Sequence, residues 1–304
     1  MPVNKPIALL GAPSNIGIRP YEDGRLRGLD LAPAALRARG LAARLHADDI
    51  GDVLPPGYVD FTRPPGRVRN EAGLVSYSRD IAARVEDAVR DRRFVLLLGA
   101  DCSIVLGGLL GARQAADSRL GLIYVDGHAD FATPEESVTG SAASMCAAFA
   151  VGRGDSELAR LTGVPLVDGA DLAILGRRDA ADGNIYGQTA LHAAGVLDIP
   201  AVDLHLRGVA AVAAATLERL SGVSRIWIHV DADVLDPSVM PAVDSPEPDG
   251  LSVDELVMLL RPFVRDPRAA GLELTIYDPN LDGDGACAET LVSVLEQAFA
   301  GGGQ

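Results

Sequence analysis

Seven short, nearly uninterrupted apolar runs limit how this 304-residue chain can fold. They occupy 7–11, 94–99, 120–126, 172–176, 200–206, 226–231 and 272–278, and each is followed by a loop. Runs of this length without polar alternation predict strands covered on both faces. The segments 32–46, 74–91, 103–116, 142–152, 208–220, 252–265 and 286–300 repeat apolar residues every three or four positions, as helices do. Ser252 followed by Glu255 is a capping-box pattern that marks one helix start. Strands alternating with helices predict an α/β protein with three layers (α/β/α) around a mostly parallel central sheet.

No Pro- or Gly-rich linker divides the chain, so residues 1–304 are expected to form a single domain. The polar, proline-rich stretch 51–72 reads as a surface loop, and the GGGQ tail as a frayed end. The glycines of LGGLLG (106–111) do not form GxGxxG and fall inside a helix. They predict close helix packing and argue against a dinucleotide fold.

A net charge of −15 argues against nucleic acid or an anionic membrane as partner. Cys102, Cys146 and Cys287 are odd in number and far apart, with no CxxC, so neither a disulfide framework nor a zinc knuckle is expected. The opening MPVNKPIALLGAPSN has no signal-peptide apolar region, and the run 94–100 is too short to span a bilayer. A cytoplasmic protein with no membrane contact is expected.

In an open parallel sheet, ligands bind beyond the carboxyl ends of the strands. The strand at 120–126 runs into Asp126, His128 and Asp130, which share one face if the backbone stays extended. The strand at 226–231 runs into Asp231 and Asp233, with Asp236 following. Four converging carboxylates without lysine or arginine repel one another in a low-dielectric cleft. Divalent cations are the simplest compensation, and oxygen ligands with an imidazole suit manganese, zinc, iron or nickel. Taken singly, each aspartate reads as a helix cap or turn former. DxHxD and DxD at two apolar strand ends favour a metal site. His46, His192 and His205 have no ligand at suitable spacing. His229 lies inside a strand and reads as a satisfied core histidine, or as support beneath the ligands.

These segments resemble the arginase (ureohydrolase) superfamily over nearly the whole chain. GLDLAPAALRARGL (28–41) is similar to its N-terminal helix, and GADCS (99–103) to a motif usually written GGDHS. VDGHADF (125–131) is similar to DAHxD, and HVDADVLDPSVMPAVDSPEPDGLS (229–252) to the DxDxxDP block. The resemblance implies an arginase-like fold holding one or two divalent metals, manganese by family habit. It also implies a homo-oligomer, trimeric or hexameric. Asp126 and Asp231 would bridge the metals, Asp130 would join them at one, and His128 and Asp233 would complete the other. Asp130 would also be catalytic, holding a metal-bound hydroxide that attacks a linear C–N bond of a cationic small molecule. Asp236 fits a structural position.

Several positions depart from the family pattern. Cys102 stands where the family places a histidine ligand. A thiolate there shifts preference towards Zn2+, Fe2+ or Ni2+, whereas a protonated thiol would act as a small buried hydrophobe. Ala143 falls at a histidine and Ile276 at the glutamate that grips a guanidinium. Glu273 alternates onto the face opposite position 276. Ser141, Asp179 and Asp278 are the substrate-binding candidates, and Asp182 can replace an acid lost at Ala181. The expectation is a hydrolase of a guanidino, amidino or amide compound with altered specificity. The alternative is a weak or inactive member that binds a ligand in a regulatory role.

Overall fold

The computed structural model describes residues 5–116, 119–179 and 185–300. Its strands are β1 (Ile7–Gly11), β2 (Asp48–Asp52), β3 (Phe94–Leu98), β4 (Leu120–Val125), β5 (Leu172–Leu175), β6 (Leu197–Ile199), β7 (Arg225–Asp231) and β8 (Ala269–Thr275). All pair in parallel, in the order β2-β1-β3-β8-β7-β4-β5-β6. Strands β7 and β8 lie between β3 and β4, so the chain order breaks at the centre of the sheet, where crevices form at the strand ends.

The helices are α1 (Ala32–Ala38), α2 (Leu41–Arg44), α3 (Glu71–Arg90), α4 (Ile104–Gln114), α5 (Cys146–Ala150), α6 (Ile185–Ala193), α7 (Ala201–Arg207), α8 (Val209–Arg219), α9 (Val253–Arg265) and α10 (Ala286–Phe299). Helices α3, α4 and α5 pack in succession on one face, while α1, α10, α9 and α8 pack in succession on the other. The result is the expected three-layer α/β/α sandwich. Strands β1, β3, β4, β5 and β8 are buried along their whole lengths. Each buried Leu, Ile or Val contributes about 1.5–3 kcal/mol, which makes the sheet a stiff platform for its loops.

Glycines set the helix spacing on the α4 side. A Cβ at Gly107 would strike Ile81, one at Gly111 the carbonyl of Ala82, and one at Gly108 the indole of Trp227. The LGGLLG segment is therefore a packing face, as its sequence predicts.

Three expectations are corrected. Residues 200–206, expected as a strand, form α7, and the edge strand β6 precedes them. Pro200 stands at the helix N-cap and Gly208 ends the helix with φ 81°, while the alternation of Val202, Leu204 and Leu206 mimics a strand. Only Ala201 and Leu204, three apart, are buried. Strand β2 was missed because DDIGD is charged and edge-exposed, as edge strands tend to be. The helix expected over 32–46 breaks at Gly40, where φ is 76°. Asp182 and Ala181 lie outside the described residues.

Candidate metal centre

The central strands bring their acidic ends to one place without the extended geometry expected there. Beyond β4 the backbone turns at once: the His128 amide donates to Asp126 Oδ1 at 2.6 Å, and Asp130 takes a left-handed φ of 47°. This turn, not strand alternation, points His128 back over Asp126. Gly127 allows it, since a Cβ there would meet Asp233 Oδ1 and Arg178. Beyond β7, Asp231 Oδ1 accepts the Asp233 amide at 2.8 Å and starts a 3-10 turn. The cap role and the site role fall on the same aspartates.

Cys102 follows β3 on a loop pinned by Asp101, whose buried carboxylate accepts the amides of Gly17 and Ser103, each at 3.0 Å. The Cys102 thiol donates to Asp231 Oδ2 at 3.0 Å. His128 Nδ1 lies 2.9 Å from Asp233 Oδ2, and the Gly127 amide donates to Asp233 Oδ1 at 3.0 Å.

Two donor groups result. One comprises Cys102, Asp126, His229 and Asp231; the other comprises Asp126, His128 and Asp233. Asp126 belongs to both. Asp130 is in neither: its Oδ2 accepts the Tyr124 hydroxyl at 2.6 Å, and it lines the cleft above. Of the four residues in the first group, His229 alone is not singled out as a ligand by the sequence. Its ring stacks on Tyr124 at 3.9 Å, and its Nδ1 lies 2.7 Å from Glu273 Oε1. Trp227 Nε1 donates to the other Glu273 oxygen at 3.0 Å. Strand register places Tyr124, His229 and Glu273 side by side.

The electrostatics call for positive charge. Burial, then Asp231, Asp130 and Asp126, push the Cys102 thiol well above its usual range. Burial, then Asp233 and Asp126, do the same to Asp231. Burial followed by Asp126 raises Asp130. Burial disfavours the charged form of His229, but Asp126 and Glu273 outweigh it and hold the imidazole up to about 9. Asp126 is driven down to about 2, because His128 and His229 outweigh its burial.

The residues present fit a cation. Asp126 Oδ2 and His229 Nε2 are fully buried, lie 3.6 Å apart and have no hydrogen-bond partner. Two buried polar atoms rarely stay unsatisfied. A metal ion bound by both would satisfy them, and sulfur, nitrogen and carboxylate oxygen are all ordinary ligand types.

A cleft of about 370 Å³ opens above these groups. Cys102, His128, Asp130, Asp231, Asp233, Ser141, Ala143, Asp179 and Ile276 line it, whereas Asp126, His229 and Glu273 lie beneath. Ser141 Oγ accepts the Arg19 amide at 2.9 Å, and Asp179 Oδ2 accepts the Ala129 amide at 3.2 Å. Asp278 is not brought to the cleft: its carboxylate accepts the Tyr21 hydroxyl at 2.8 Å and the amides of Gly28 and Asn280. Asp236 organises its own turn, accepting from Ser238 and Gly250. His46, His192 and His205 are exposed elsewhere. No helix of the described residues is long and apolar enough to cross a membrane.

A parallel α/β/α sandwich with a donor cluster at its central strand ends describes a ureohydrolase-type enzyme. The chain belongs to the arginase family, whose pattern it matches over residues 5–301. It is 29% identical to an arginase of Bacillus caldovelox over 307 residues, covering 97% of this chain and 98% of that one. Human arginase-1 is 28% identical, with 98% and 91% covered. The native structure of the Bacillus caldovelox arginase superposes with a TM-score of 0.86 at 27% identity, covering 98% of this chain and 99% of that one.

Proposed function

We propose that this chain hydrolyses a linear C–N bond of a guanidino, amidino or amide compound, at a centre holding one or two divalent cations. The observation that carries this reading is the sharing of Asp126 between two donor groups directly beneath an acidic cleft. Cys102, Asp126, His229 and Asp231 would hold one ion, and Asp126, His128 and Asp233 the other. Bound cations supply Lewis acidity and lower the pKa of water to near neutrality.

The chain's own groups do the rest. Tyr124 fixes the Asp130 carboxylate by a 2.6 Å hydrogen bond, so Asp130 faces the cleft in one orientation and can hold the attacking water there. Arg177 anchors Asp179 on the cleft wall at 3.1 Å, leaving a carboxylate to favour a cationic small molecule. Ala143 and Ile276 present methyl surface where the resemblance places histidine and glutamate. Arginine is therefore a poor fit, and a substrate with a smaller or less charged head group a better one.

The test is to load the purified protein with manganese, zinc, nickel or iron, count bound metal, and assay release of urea or ammonia from a panel of guanidines, amidines and amides. Retained metal with turnover of one such class supports the reading. No metal retained from any of the four would sink it.

A further inference from the structure

We propose that His229 supplies the nitrogen ligand for which Cys102 is a misfit, making Cys102, Asp126, His229 and Asp231 a thiolate–imidazole–carboxylate site that selects zinc or ferrous iron over manganese. The proposal rests on reading the strand ends as a metal centre, and deepens it.

His229 is built like a ligand. It precedes Asp231 by two residues on β7, so both side chains leave the same face of the sheet. Tyr124 stacks on the ring with an interplanar angle of 15° and sets its plane. Glu273 takes Nδ1 at 2.7 Å and is itself held by Trp227. A carboxylate on one ring nitrogen is the usual support for a histidine whose other nitrogen binds metal. That other nitrogen, Nε2, is buried without a partner and faces an equally unpartnered Asp126 Oδ2.

The separation favours an ion over a proton. A charge-assisted hydrogen bond would bring Nε2 to about 2.7–2.9 Å from the carboxylate, but the atoms lie 3.6 Å apart. Two ligands on one tetrahedral ion with bonds of about 2.0–2.1 Å sit roughly 3.4 Å apart. One donor atom from each of the four residues falls within 4.8 Å of the others. Cys102 binds as the thiolate and His229 as the neutral imidazole, with Nδ1–H kept on Glu273, and the thiol and Nε2 protons both pass to solvent.

The donor types set the metal. Thiolate with imidazole suits zinc or ferrous iron, while carboxylate-dominated sites suit manganese. The second group, Asp126, His128 and Asp233, contains no sulfur. The two halves of the centre thus prefer different ions, and the sulfur half should fill first with zinc.

The test uses the full chain stripped by chelator and reloaded with one equivalent of cobalt(II) or zinc. A near-ultraviolet sulfur-to-cobalt charge-transfer band, with one sulfur and one imidazole in the zinc X-ray absorption spectrum, is expected. Cys102→Ser should abolish the band and weaken zinc binding at least tenfold, with manganese binding nearly unchanged. His229→Gln should remove the imidazole signal. If that variant does not fold, the X-ray absorption of the parent still decides. Metal bound without a sulfur ligand, or an imidazole signal that survives in folded His229→Gln, would overturn the proposal while leaving the metal-centre reading intact. No bound metal at all would overturn both.

Discussion

Glu273 Oε1 lies 2.7 Å from Nδ1 of His229, one pleat beneath the aspartates at the strand ends. Glu273 accepts from two buried donors at once, His229 and Trp227. Glutamine at 273 has one acceptor oxygen for both, so one donor would face an amide NH2 group. Glu273→Gln should therefore misorient His229 and lower zinc affinity about 10–100-fold. Trp227→Phe added to it should recover part of the loss by removing the competing donor. Competition with a chromophoric chelator measures both. Unchanged affinity in Glu273→Gln would show that Glu273 does not position the ring.

Arg177 is buried and reaches two elements. Its fork meets Asp198 at 2.6 and 2.5 Å and Asp179 at 3.1 Å. Removing one member of such a buried cluster strands the others without compensation. Arg177→Met should destabilise the fold by about 2–4 kcal/mol in urea unfolding, towards the low end because both aspartates are partly solvated. Since Asp179 also accepts the Ala129 amide, KM should rise more than kcat falls. Equal losses in both would place the effect away from substrate binding.

The strand and helix pattern was readable because buried parallel strands leave long apolar runs, and Ser252 with Glu255 forms the expected reciprocal cap. Asp126, His128, Asp231 and Asp233 were legible because two strand ends carried paired ligand types at short spacing. His229 and Glu273 were not. Each is a single polar residue inside an apolar strand, and only the β7–β8 register, across 44 positions, makes them partners. Asp278, a substrate-binding candidate because it follows β8, instead accepts from the loops at Tyr21 and Gly28. Asp130, expected among the ligands, takes a left-handed turn and accepts the Tyr124 hydroxyl. No residue pattern of i and i+2 encodes such a turn.

Asp282 ties the start of α10 to the segment just beyond β8. It accepts the Tyr277 hydroxyl at 2.6 Å and the amides of Cys287 and Ala288. Burial works against its charge, but these hydrogen bonds prevail and hold its carboxyl below the usual range. A depressed folded pKa means the contribution is present above the unfolded value of about 3.9 and fades as pH falls through the folded one. Asp282→Asn should cost about 1 kcal/mol at pH 7. The gap between variant and parent in denaturant melts should narrow below about pH 4. A gap independent of pH would mean that charge is not what Asp282 contributes.

Ile276 and Ala143 line the same cleft, and Ile276 holds a left-handed φ of 65° while its amide donates to Ala100 O at 2.8 Å. A β-branched residue there is strained by about 1–3 kcal/mol, and such outliers cluster at functional sites. An unbranched glutamate relieves part of that strain and points a carboxylate into the cleft. Histidine at 143 adds a proton carrier. Ile276→Glu combined with Ala143→His should therefore raise kcat/KM on guanidino substrates at least tenfold, equivalent to about 1.4 kcal/mol of transition-state stabilisation. Each single change should do less, since gripping the head group and moving the proton act on one bond. Urea release from a guanidine panel reads the outcome. A double variant that folds, keeps its metal and gains nothing would mean that these two positions do not set specificity.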